Sequence, residues 1–209
     1  DAPNLDIHDI ESYLRHIFER INLERDLHFQ TQTTIDTLDY SGTDINCGSK
    51  VIFSCCGPAT RQLGKDLPVL EKSELFSNAA ILLPGIIALQ TSNFIDHEQA
   101  IQEISKLSKE LENQISPNTH PLILLVDDSD FCKKSLNNFL WVCFTRSNPS
   151  HDIYGIQEYT VHKHWACKGS LIVDARIKPH HAPPLIEDPE VSKRVDILFD
   201  EIKELTPYK

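Results

Sequence analysis

Methionine is absent from all 209 residues, where ordinary usage would give about four, and the chain opens on Asp1. Together these read as a fragment of a longer polypeptide. Glycine is scarce at seven residues, too few to hide a Gly-rich phosphate loop. No CxxC pair occurs, and six cysteines (Cys47, Cys55, Cys56, Cys132, Cys143, Cys167) are too sparse for a disulfide scaffold, so a reduced, cytoplasmic setting is expected. Basic charge is short as well. With 20 Lys and Arg against 31 Asp and Glu, the formal net charge is −11, and no clustered cations exist to neutralise phosphates, which excludes a nucleic-acid partner. No apolar run approaches the roughly 20 residues that a bilayer span needs, and no signal-peptide pattern opens the chain.

What is present is 40% apolar sequence, enough to bury a core. Leu122 to Val126 is a short apolar run halted by Asp127 and Asp128, the pattern of a buried parallel strand. Ser135 is a plausible N-cap, and Leu136, Leu140, Cys143 and Phe144 recur at helical spacing behind it. Leu171 to Val173 offers a second buried strand. Strand, helix, loop and strand in that order predict an α/β fold, an open mixed or parallel sheet flanked by helices.

Elsewhere, Asp6 is a candidate cap for a helix to about Asn22, with Ile10, Leu14, Ile17, Phe18 and Ile21 on one face. Residues 27–40 suit extended structure, and Val51 to Cys55 reads as a buried strand. Ala79 to Leu89 is apolar throughout, but Pro84-Gly85 in its middle predicts a bulged or edge strand. Asp96 and Gln99 resemble a capping box for a helix carrying Ala100, Ile104, Leu107 and Leu111. Prolines at 179, 183, 184 and 189 make 178–189 an extended arm. Asp188 and Pro189 then start a last, protruding helix whose seam of Val191, Val195, Leu198, Ile202 and Leu205 suits docking on a partner, a second copy of the chain included. The expected division is therefore an α/β unit over 1–178, in which 1–50 could be a linker or insertion, and an arm with docking helix over 179–209.

Candidate sites are few. His162, His164, Cys167, His180 and His181 are the densest set of metal-ligand types, but their spacing is not that of a zinc module, and structural or surface roles are expected ahead of metal. On an extended segment His162 and His164 would share a face. Asp127 and Asp128 stand where open α/β sheets bind ligands, although capping of local N–H groups is the favoured reading. Cys55 and Cys56 lack identifiable His and acid partners, and a buried free thiol is the commoner case. No catalytic set is legible in this chain.

Several motifs in order nevertheless carry a family resemblance. TRSNPSHD at 145–152 follows LVDD and the helix with Leu140-Trp141; Lys168-Gly169 then leads into Ile172-Val173-Asp174-Ala175, and Asp-Pro-Glu-Val occupies 188–191. This series resembles the carboxy-terminal part of UbiD-type decarboxylases, and FQTQTTIDTLDYSG at 29–42 is similar to a branch proposed for menaquinone, hence quinone, biosynthesis. Asn148, His151 and Arg176 depart from that family's Asp, Arg and Thr.

The resemblance implies reversible, non-oxidative decarboxylation of an aromatic or α,β-unsaturated acid with prenylated FMN and a divalent metal, Mn or Mg. It places the flavin domain and its acid residues upstream, so that this region binds no cofactor itself, is inactive alone and supports a homo-oligomer. It also brings Tyr159, Thr160, His162, His164 and Trp165 toward the substrate pocket. The alternatives from the residues alone are a stand-alone association module or, behind it, a metal-binding protein using His162, His164 and Cys167.

Overall fold

The computed structural model describes residues 5–182 and 187–202. In chain order it contains α1 (Ile10–Phe18), β1 (Leu27–Thr33), β2 (Gly48–Phe53), β3 (Phe76–Leu83), β4 (Ile86–Thr91), α2 (His97–Leu111), β5 (Leu122–Val126), α3 (Ser129–Lys133), α4 (Leu136–Thr145), α5 (Pro149–Asp152), β6 (Ile153–Gly155), β7 (Glu158–Val161), β8 (His164–Cys167), β9 (Leu171–Asp174) and α6 (Pro189–Glu201). Five strands form a mixed sheet in the order β3-β4-β5-β9-β6. Its centre is parallel, β4 with β5 and β5 with β9, and antiparallel strands close both edges. The α/β architecture expected from the sequence is therefore present.

The central strands carry apolar residues on both faces because helices or loops cover both. On one side Ile86, Ala88, Leu122, Leu124, Leu171 and Val173 pack against Phe18, Phe139 and Val142. On the other, Ile87, Leu89, Ile123, Leu125 and Ile172 meet Ile104, Leu107 and Leu111 of α2. Each such side chain contributes about 1.5–3 kcal/mol by leaving water. Asp96 caps α2 as expected, accepting from the Gln99 N–H at 2.8 Å, but the Gln99 side chain donates to Glu103 at 2.8 Å instead of closing a capping box; Ala100, Ile104, Leu107 and Leu111 are all buried.

Several expectations are corrected. Ala79–Leu89 is not one irregular strand but a hairpin, with Pro84-Gly85 as its two-residue turn and Gly85 at φ 84°. A left-handed glycine behind proline closes a tight turn without a Cβ clash, and β4 then lies inside the sheet. The first helix is capped by Asp9 and ends at Phe18, since Asp6 turns back to the His8 N–H instead. In α4 the Ser135 cap holds, but Phe139, Val142 and Cys143 are buried while Phe144 is 66% exposed. That helix is apolar nearly all round, so spacing alone leaves its inward face ambiguous. Val51–Cys55 is not a core strand. Its residues 51–53 belong to β2, which pairs only with β1 in a separate ribbon, leaving Ile52 47% exposed.

Asp188 caps α6 and Pro189 occupies its first turn, as the sequence predicts. No residue of α6 is buried, and Val191, Val195, Leu198 and Ile202 are each 41–51% exposed. Leu205, Pro183 and Pro184 lie outside the described residues.

Candidate functional site

The residues around 160–165 are placed by a second small ribbon. Strands β7 and β8 pair from Glu158↔Cys167 to Val161↔His164, so His162 and Lys163 are the two turn residues, at φ 50° and 66°. Both being left-handed is what a tight hairpin matching the strand twist requires. His162 and His164 are therefore a turn residue and a strand residue, not alternate positions on one extended face.

This ribbon stands beside β1 and α5, and the space between is a groove of about 600 Å³. Thr160, His162, His164 and Trp165 all line it, together with His28, Phe29 and Thr31 from β1 and Ser150 from α5. Two ring pairs cross the groove: His28 with His164 at 5.9 Å between centroids, and Phe29 edge-on to Trp165 at 5.4 Å. The Nε2 of His164 is shielded from solvent and has no hydrogen-bond partner. Tyr159 is elsewhere, on the opposite side of β7 as strand alternation demands. Its hydroxyl donates to Glu24 at 2.8 Å, and the Lys168 ammonium stands 5.9 Å from its ring centroid. Four of the five expected pocket residues thus share one groove, and β1 contributes residues that sequence order gives no reason to place there.

Behind α5 lies a buried charge cluster that the order of residues in the sequence does not reveal. Arg176, 1% exposed, grips the equally buried Asp174 through two donors at 2.9 and 2.7 Å and reaches Glu103 at 3.0 Å and the Ser92 carbonyl at 3.0 Å. Burial works against its charge, but Asp174 and Glu103 overcome that and raise its pKa. Lys178, also 1% exposed, donates to the carbonyls of Asp174 at 2.7 Å and Arg146 at 2.8 Å. Its distance to Asp152 Oδ1 is 3.4 Å, long for a hydrogen bond, and that oxygen has no closer donor.

Asp152 ends α5, and its other oxygen accepts from the Asn148 N–H at 2.6 Å. Burial pushes its carboxyl up to about 6, against the pull of Lys178 and the Asn148 N–H. His97 stands 4.0 Å from the free oxygen, with its own pKa lowered by burial and by the neighbouring His151 and Lys178. The side chain of Asn148 accepts from the buried Ser49 hydroxyl, and the Ser150 N–H donates to that same hydroxyl oxygen at 2.8 Å. In this way the cluster and the β1–β2 ribbon hold α5 against the groove. What TRSNPSHD and VDARIK do signal is chemical and not a pairing: their five charged residues, Arg146, Asp152, Asp174, Arg176 and Lys178, flank a buried strand and a four-residue helix and must either be solvated or find a partner.

The remaining candidates resolve simply. Asp128 caps α3 by accepting from the Phe131 N–H at 2.8 Å, the capping role favoured for it. Asp127 pairs with Arg146 at 3.1 Å and takes the Ile177 N–H at 2.8 Å. Cys167 is in the core, its thiol pushed up to about 12 by burial and donating to the Gly169 carbonyl. His181 accepts from the Lys178 N–H through Nδ1, and burial with His180 beside it holds its pKa down at about 4. Among the described residues no three His, Cys, Asp or Glu side chains converge where a metal ion could sit. Cys55 is half-buried, a free thiol packed on the core.

Residues 1–55 match the family described as 3-octaprenyl-4-hydroxybenzoate carboxy-lyase C-terminal domain. Over 198 residues the chain is 30% identical to an uncharacterized protein of Chlamydia trachomatis, covering 92% of this chain and 31% of that one. It is 29% identical over 203 residues to an uncharacterized protein of Chlamydia caviae, covering 95% and 32%. A protein of Chlamydia pneumoniae, named as a subunit of 4-hydroxybenzoate decarboxylase, is 29% identical over 185 residues, covering 87% and 29%. The chain spans about a third of the length of these curated relatives.

Proposed function

We propose that this chain is the carboxy-terminal region of a UbiD-type decarboxylase and that it supports assembly and one wall of the substrate pocket, not the chemistry itself. The reaction of the whole protein is then decarboxylation of an aromatic or α,β-unsaturated acid. Prenylated FMN and a divalent metal would supply the electron sink for it from polypeptide outside this chain. Support for this placement comes from the described residues, among which no three His, Cys, Asp or Glu side chains converge, and from the scarcity of glycine, seven in the chain, for a phosphate loop. What this chain's residues do is hold an acid-binding wall in place, exclude water around Trp165 and Phe29, and present a helix to a partner.

The observation that carries the reading is α6. A capped helix of 13 residues with a four-residue apolar seam and no buried side chain is stable in water only marginally by itself. Its seam is explained by a second copy of the protein that covers it. Sedimentation velocity of the chain and of Leu198→Asp tests this. The substitution is expected to shift the oligomer toward monomer while leaving the far-UV spectrum and melting temperature of the α/β unit within a few degrees of the parent. An unchanged sedimentation coefficient would remove the assembly role.

A further inference from the structure

Three of the six cysteines are sealed in the core. Burial pushes the thiols of Cys132, Cys143 and Cys167 up to about 11, 12 and 12, which leaves none of them a nucleophile at neutral pH. Cys47 is exposed but has no cysteine beside it in the chain. Cys55 and Cys56 differ from all of these. They are consecutive, so their Cα atoms stand about 3.8 Å apart across one trans peptide. Cys56 is exposed and Cys55 half-buried.

The loop that carries the pair is held on both sides. Before it, the Ser54 N–H donates to the Asp26 carbonyl at 2.9 Å. After it, the Gly57 carbonyl accepts from Arg20 Nε at 3.2 Å, and Gly57 turns the chain at φ 95°, in the left-handed region that favours glycine. The Thr60 N–H and the Arg61 guanidinium then donate to the carbonyls of Glu19 and Phe18 at the end of α1, each at 2.8 Å.

Within this frame the two sulfurs have different surroundings. The Cys55 thiol donates weakly to the Ile17 carbonyl at 3.9 Å, and burial, with Asp26 nearby, raises its pKa and keeps it protonated. Cys56 is on the solvent side, where it interacts electrostatically with the Arg25 guanidinium. Drawing Cys55 away from Ile17 costs little, because that carbonyl also accepts from the Arg20 and Ile21 N–H groups at 3.0 and 2.9 Å. One thiol is therefore accessible to a solute, and a second, protected thiol is next to it.

We propose that Cys55-Cys56 is a site of reversible oxidation by a hydroperoxide, with Cys56 as the sulfur that reacts first and Cys55 as the thiol that resolves it. The Cys56 thiolate attacks one peroxide oxygen and the O–O bond breaks. The other oxygen takes a proton and leaves as alcohol or water, and the sulfur, oxidised by two electrons, becomes a sulfenic acid. Cys55 then attacks that sulfur: the S–S bond forms, the S–O bond breaks, and the departing hydroxide takes the Cys55 proton and leaves as water. A bridge between Cα atoms about 3.8 Å apart is tighter than the usual range, which starts at about 4.4 Å, so the product is strained and readily reduced. The site is independent of the decarboxylase reading.

The test is exposure of the reduced 209-residue chain to hydrogen peroxide, followed by tryptic mapping. Cleavage after Arg25, Lys50 and Arg61 leaves Cys47 in peptide 26–50 and Cys55 with Cys56 in peptide 51–61, apart from the other three cysteines. Peptide 51–61 should lose two hydrogens at a peroxide dose that oxidises Cys47, and dithiothreitol should restore them. In Cys55→Ser, Cys56 should stop at the sulfenic acid and be captured by dimedone; in Cys56→Ser, Cys55 should capture about a tenth as much or less. Phenylarsine oxide, which bridges two thiols, should add once to peptide 51–61 of the reduced parent, a measurement that needs no variant. The proposal is overturned if peptide 51–61 keeps both thiols when Cys47 is oxidised, or if Cys56 of the parent passes to the sulfonic acid without a disulfide. Equal dimedone capture by the two variants, or no arsenical bridge in the parent, would also overturn it.

Discussion

Arg176 is the residue on which the buried charge cluster turns. Asp174 has no exposure at all and relies on the two guanidinium donors for its charge. Replacing Arg176 with Met keeps most of the volume but leaves that carboxylate unpaired in the core, which should lower the unfolding free energy by roughly 3–5 kcal/mol in a urea titration. Asp152 offers the opposite case. Its pKa is raised by burial to about 6, above the roughly 3.9 of an unfolded aspartate, so the folded state holds this proton more tightly. Its contribution is therefore fully present below about pH 4 and lost as pH rises through about 6. Relative to Asp152→Asn, which does not titrate, the parent protein should lose up to about 3 kcal/mol between those limits. Denaturant midpoints of both proteins from pH 4 to 7 check this, and a difference independent of pH would refute it.

At the scale of elements, α4 is the place where sequence and structure part. Its residues LNNFLWVCFT include apolar side chains at Leu136, Phe139, Leu140, Trp141, Val142, Cys143 and Phe144, which cover so much of the circumference that two inward faces fit almost equally well. The sheet selects the face with Phe139, Val142 and Cys143, because these reach Leu124 and Val173 in one packed cluster. Phe139→Ala should consequently cost about 3–5 kcal/mol, the usual penalty for emptying a buried aromatic site. Phe144→Ala, at an exposed position, should stay within about 0.5 kcal/mol. Thermal unfolding of the two variants side by side distinguishes the two faces. The α2 helix is readable by the same method, since its apolar residues make one narrow stripe and its Asp96 cap is unambiguous. Pro84-Gly85 misleads because a turn dipeptide inside an apolar run looks like a flaw in one strand until the return strand is seen to pair with it.

For the whole molecule, the proposed division of labour has a direct consequence. Supplied with prenylated FMN and a panel of aromatic acids, the chain alone should neither retain flavin through gel filtration nor release CO2. Steady turnover would place the chemistry in this chain after all. No helix among the described residues is long and apolar enough to cross a membrane, and the acidic excess of the chain lies outside the groove beside the β7–β8 turn. That contrast is a property of the assembled fold. His28 precedes Ser150 and Lys163 by more than a hundred residues and shares a groove with them only because two small ribbons and α5 pack together.

The residues alone determined what depends on neighbours within a few positions. The buried strand at Leu122–Val126, the caps at Asp96, Asp128, Ser135 and Asp188, the seam of the last helix and the order of the family's motifs are all local patterns. The tertiary structure decided everything that needs a partner from elsewhere: which face of α4 turns inward, the pairing of β3 with β4, the union of Asp152, Asp174, Arg176 and Lys178, and the second wall of the groove. The physical reason is one of range. Backbone propensity, capping and hydrophobic period act over one or two turns or a single strand, whereas desolvation penalises a charge or an aromatic ring until some distant segment covers it, and only the packed chain specifies which segment that is.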